Sequence, residues 1–68
     1  MNEEVFNLSI RRFLKQFGVT AQRDIEHAVQ AALAGGKLRS GAVLKATAVL
    51  RVEGLGELTA VDGDLALE

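Results

Sequence analysis

The chain has 68 residues, with eight Lys or Arg against nine Asp or Glu, a formal net charge of −1 at neutral pH, and 49% hydrophobic residues. That length suits one domain with a small core, worth only about 3 to 5 kcal/mol net; with no Cys and a single His, His27, disulfides and a structural metal are excluded as staples. The acidic opening Met1-Asn2-Glu3-Glu4 is unlike a basic secretory leader and no apolar run approaches a membrane span, so a soluble, cytoplasmic protein is expected.

The first element in chain order is a helix over 2–17. Phe6, Ile10, Phe13 and Phe17 recur at helical spacing with Leu14 beside them, and so form one apolar stripe. Asn2 is the N-cap, Glu3 and Glu4 complement the positive end of the dipole, and Arg11, Arg12 and Lys15 complement the negative end. Gly18 suits a left-handed C-terminal residue, Val19 can fold back as the hydrophobic contact of a Schellman ending, and Thr20 follows as the next N-cap.

A second helix is expected over 21–34. Ala21, Ile25, Ala28, Val29, Ala32 and Leu33 share one face, with Arg23, Glu26, His27 and Gln30 opposite, and Gly35-Gly36 ends it. A link as short as Gly18-Val19-Thr20 makes the two helices a tight corner whose stripes share a core. Residues 35–41 then read as a loop rich in glycine and basic side chains, anchored by Leu38.

After the loop the period becomes two. Leu44, Ala46, Ala48, Leu50 and Val52 fall on one face of a strand over 43–53, and Lys45, Thr47, Arg51 and Glu53 on the other. Gly54-Leu55-Gly56 is a three-residue turn, and a return strand over 57–67 sets Leu58 and Ala60 opposite Val52 and Leu50. Beyond Ala60 the alternation slips by one residue. A bulge at Asp62-Gly63 opposite Ala48 restores it and brings Leu65 across from Ala46 and Leu67 across from Leu44. The rival reading makes Asp62-Gly63 a tight turn and the region a three-stranded meander.

The expected fold is therefore α+β: one domain over 1–68 with two N-terminal helices packed on a C-terminal antiparallel β-hairpin. The segments Asn2-Glu3-Glu4-Val5-Phe6-Asn7-Leu8-Ser9-Ile10-Arg11, Phe13-Leu14 and Gly18-Val19-Thr20, with Ile25-Glu26 and Ala28-Val29, resemble a family of short bacterial proteins known only as a domain of unknown function. The ending Asp62-Gly63-Asp64-Leu65 is similar in kind. The resemblance implies a bacterial source and a free-standing small protein, and brings no activity, ligand or site residue with it.

The residues themselves offer little chemistry. His27 is the only histidine, yet its helical neighbours one turn away, Arg23 and Ala31, supply no second ligand. Asp62-Gly63-Asp64 is too short and too poor in oxygens for a calcium loop. Ala34-Gly35-Gly36-Lys37 lacks the preceding strand and the following helix of a phosphate loop. Ser9, Ser40, Thr20, Thr47 and Thr59 have no histidine in a nucleophile pattern. No catalytic, cofactor-binding or metal-binding residue is expected, and no enzyme.

Two functions remain. The first is a non-enzymatic module that forms a homodimer or docks a protein partner. The hairpin leaves two strand edges unpaired, and Met1, Val5 and Leu8 project away from the phenylalanine stripe as a candidate interface, unless the hairpin wraps round to cover them. The second is nucleic-acid binding. All eight basic residues lie between Arg11 and Arg51 with only Asp24 and Glu26 among them, and two helices followed by a hairpin are similar in outline to a winged helix-turn-helix. Arg11, Arg12, Lys15, Arg23, Lys37 and Arg39 are the contacts that reading uses. Against it stand the missing third helix, Asp24 where the corner pattern wants an apolar residue, and the near-neutral net charge.

Overall fold

Asn2 holds extended backbone (φ −94°, ψ 109°) and its Oδ1 accepts a 3.1 Å hydrogen bond from the Val5 N–H, so the side chain caps an orphan donor of the first turn. In this computed structural model, which describes residues 1–68, that cap opens α1, a helix over Glu3–Ala34. Asn7 Nδ2 adds a 2.9 Å bond to the Glu3 carbonyl, and Glu3 and Glu4 put negative charge at the positive end of the dipole.

The expected corner at Gly18-Val19-Thr20 does not form: one helix of 32 residues replaces the two of 2–17 and 21–34. A glycine inside a helix costs about 1 kcal/mol relative to alanine, a small sum beside the hydrogen bonds and stripe continuity that a break would forfeit. Stopping here also requires a left-handed residue, and Gly18 is not among the glycines with positive φ. The apolar spacing crosses the glycine without a slip, from Phe13 and Phe17 to Ala21 and Ile25. Arg11, Arg12 and Lys15 consequently lie mid-helix and complement no helix end, and the last turn carries no basic residue.

The glycine pair at the far end does stop the helix. Gly35 remains near helical dihedrals, while Gly36 takes φ 73°. The Gly36 N–H reaches the Leu33 carbonyl at 3.1 Å and the Lys37 N–H reaches Ala32 at 2.8 Å, the paired bonds of a Schellman ending. The chain divides into two compact units, Met1–Lys37 and Leu38–Glu68. The helical unit taken by itself has no core, because no helical residue is buried.

The second unit is a hairpin of β1 (Val43–Val52) and β2 (Gly56–Ala66), antiparallel and two-stranded, so the three-stranded alternative is excluded. The Leu55 N–H bonds the Val52 carbonyl at 2.9 Å, and left-handed Gly54 and Gly56 (φ 81° and 77°) turn the chain within it.

The irregularity in the ladder is not at Asp62-Gly63. Leu58 and Ala60 do not lie opposite Val52 and Leu50 as expected: Val52 pairs with Gly56, Arg51 with Glu57, Leu50 with Thr59 and Val49 with Ala60, which leaves Leu58 as the extra residue beside the turn. With the slip absorbed there, regular pairing continues to the end: Ala48 with Val61, Thr47 with Asp62, Ala46 with Gly63 and Leu44 with Leu65. Leu65 therefore faces Leu44 and not Ala46, and Leu67 lies past the last pair, its N–H reaching the Ala42 carbonyl at 3.4 Å. A bulge beside the turn disturbs only the weakly paired end of the ladder, whereas one at Asp62 would interrupt its middle and part Asp62 from Thr47. Leu44, Ala46, Leu50 and Leu65 form the half-buried face of the hairpin, and no residue of this unit is fully buried.

Candidate interaction surface

The helix is long enough to display its faces over about 48 Å at 1.5 Å per residue. One face carries Phe6, Ile10, Phe13, Phe17, Ala21, Ile25, Ala28 and Ala32, each three or four residues from the next, with Leu14 beside Phe13. Several spacings repeat at eleven residues: Phe6, Phe17 and Ala28; Ile10, Ala21 and Ala32; Leu14 and Ile25. Eleven residues over three turns is close to the natural helix period, so this stripe drifts by only about 20° per eleven residues, more slowly than a seven-residue repeat would.

Its two halves differ in bulk. Between Phe6 and Phe17 every member is large; between Ala21 and Ala32 three of four are alanines. Phe6, Phe13 and Phe17 are each about half exposed, at 50%, 53% and 51%. Within the helical unit no other element covers the stripe, and its continuity is signalled in the sequence by the eleven-residue spacing and obscured by the expectation of a break at Gly18. Thr20 borders it, and Asp24, eleven residues after Phe13 and three after Ala21, stands within it as a charged interruption of its second half.

Val5 and Leu8, one turn apart on the other side of α1, are exposed and make a small apolar patch at the N-terminal end, and Met1, which precedes the extended N-cap Asn2, is 94% exposed. Arg12, Lys15 and Arg23 lie on this broad side too, mixed with Glu4 and Glu26, and Arg11 is near its margin. The helix-turn-helix outline does not hold, because no corner separates a first helix from a second. Lys37 follows the helix end in the first unit and Arg39 belongs to the loop of the second. His27 is exposed, and no group of three or more His, Cys, Asp or Glu side chains comes together to hold a metal ion.

On the hairpin, Lys45, Thr47, Asp62 and Asp64, with Ala46 and Gly63, line an open depression of about 440 Å³. Thr47 Oγ1 and Asp62 Oδ1 satisfy each other there at 2.8 Å. Arg51 and Glu57 approach to 4.0 Å at the turn end, both largely solvated, so the pair adds little stability. Because the sheet has two strands, each keeps one edge unpaired; Lys45, Arg51 and Glu57 place charges along these strands that discourage indiscriminate pairing. No helix is long and apolar enough to cross a membrane.

One long amphipathic helix, with an apolar stripe along its length, and one antiparallel hairpin define a small α+β protein. Residues 1–68 match the model of a family of unknown function, DUF6494, and the chain belongs to that family. No curated protein and no solved structure matches it.

Proposed function

We propose that this protein is a non-enzymatic, self-associating interaction module of the bacterial cytoplasm, and that α1 is the element through which it associates. The observation that supports this is the run of half-exposed phenylalanines along a helix that buries no residue. A single helix gains most of its stability in water from packing an apolar face, and a lone two-stranded hairpin is marginal, so a protein of these parts gains from a second surface. Association supplies that surface and raises stability with concentration. The face expected from the sequence, Met1, Val5 and Leu8, is the smaller of the two apolar surfaces of α1, and the stripe from Phe6 to Ala32 is the larger.

Sedimentation equilibrium across a hundredfold range of concentration tests this reading. A mass that rises above 7.3 kDa, with Phe13→Asp returning it to the monomer value, supports it. A constant monomer mass at every concentration removes it.

Nucleic-acid binding through Arg11, Arg12, Lys15, Arg23, Lys37 and Arg39 is the alternative. What favours it is that the mid-helix position of Arg11, Arg12 and Lys15 frees them from any service to a helix end. Electrostatic contacts with phosphates weaken steeply with salt. Binding of a fluorescent DNA or RNA oligomer at low salt that is lost on adding salt supports this alternative, and no anisotropy change at micromolar protein removes it.

A further inference from the structure

We infer that two copies of this chain associate through α1 in antiparallel orientation, with Phe17 of one copy level with Ala21 of the other. This inference rests on the self-association proposed above and adds its geometry.

Side-chain bulk chooses the direction. In the antiparallel register, Phe17 meets Ala21, Phe13 meets Ile25, Ile10 meets Ala28 and Phe6 meets Ala32, each pair occurring twice by the two-fold symmetry of the dimer. The bulky half of each stripe then lies on the small half of the other, and the distance between helix axes is even along the seam. A parallel, in-register pair sets Phe6, Phe13 and Phe17 against themselves at one end and Ala21, Ala28 and Ala32 against themselves at the other. The axes would have to splay at the phenylalanines or leave voids at the alanines, and interiors pack densely without either.

The area suffices for a second copy as the occupant. A phenylalanine side chain presents about 150 to 250 Å², so three that are half exposed place about 300 Å² on the seam of each chain. With Ile10, Leu14, Ile25 and the alanines, the two chains together bury about 1,200 Å², at the lower bound for a specific, stable interface.

The chain has no cysteine, so single cysteines introduced for spin labels report without interference. Ser9→Cys and Gln30→Cys lie off the seam. In the antiparallel dimer, two Ser9 labels stand about 30 Å apart along the axis, while a Ser9 label on one chain and a Gln30 label on the other come within about 15 Å. Pulsed dipolar spectroscopy of the full chain, at concentrations where sedimentation shows the dimer, measures both. The long Ser9 distance with the short mixed distance bears out the arrangement. A short Ser9 distance with a long mixed one, in a sample that is still dimeric, overturns the orientation and leaves self-association standing. A monomer at every concentration overturns both.

Discussion

The Thr47 hydroxyl donates a 2.8 Å hydrogen bond to the Asp62 carboxylate across the hairpin, between two residues that are direct partners in the ladder. The bond joins the middle of β1 to the middle of β2 and marks the register. Had the chain bulged at Asp62-Gly63, these side chains would stand on opposite faces, because a one-residue shift inverts every side chain beyond it.

The pair is exposed, and cross-strand pairs of this kind contribute about 0.2 to 1 kcal/mol. Thr47→Val should therefore weaken the hairpin by less than about 1 kcal/mol and speed amide exchange in both strands, leaving α1 unchanged. Unchanged exchange at Thr47, Asp62 and their neighbours would show that the bond contributes nothing to register.

Gly18 gives the opposite sign. A Cβ built there meets nothing within 4 Å, and its φ is not positive, so alanine fits without strain. Gly18→Ala should stabilise the helix by about 0.8 to 1.0 kcal/mol. At fixed protein concentration the midpoint of thermal unfolding followed by circular dichroism should rise by several degrees. A fall in midpoint would point to a left-handed corner at this residue.

Gly36 is bound by its conformation and Gly35 is not. At φ 73°, Gly36→Ala should cost about 1 to 2 kcal/mol and fray the last turn of α1, since a side chain crowds the carbonyl there. Gly35→Ala brings a Cβ to 3.4 Å from the Ala31 carbonyl at an ordinary φ and should be nearly neutral. Amide exchange at Gly36 and Lys37 checks both, because those two N–H groups make the closing bonds.

Asn2→Ala removes the acceptor at the other end. The expected cost is about 1 kcal/mol, with the Val5 amide exchanging faster while residues past Ile10 keep their protection. Asn2→Asp should retain the cap and add favourable charge at the dipole's positive end.

Both ends of the helix were legible in the sequence, and the hairpin turn to within one residue, because caps and turns are written in adjacent residues: Asn2 before Glu3-Glu4, Gly35-Gly36 after Ala34, and the glycines of Gly54-Leu55-Gly56, where the turn itself is Glu53-Gly54-Leu55 and Gly56 already pairs with Val52. The two errors share a cause. Gly18 followed by Val19-Thr20 carries the local marks of a stop, yet a stop must outweigh the hydrogen bonds and the unbroken stripe of a longer helix, and that comparison spans thirty residues. That β2 holds one residue too many was read correctly, but the ladder is regular after Ala60, and the expected pairs Leu58 with Val52 and Ala60 with Leu50 give way to Gly56 with Val52 and Thr59 with Leu50. The position of the extra residue was not legible, since it can be absorbed anywhere along a pair of strands, and the choice depends on what each alternative does to every later pair.

The one-dimensional pattern thus determined where α1 begins and ends, which β1 residues alternate, and that β2 carries one residue more than its partner can match. Only the three-dimensional chain decided that Phe6 and Ala32 belong to one continuous face and that Leu58, beside the turn, takes up the excess. The reason is physical: caps and turns are set by dihedrals and bonds over a few residues, whereas helix continuity and strand register are set by sums of interactions between residues far apart.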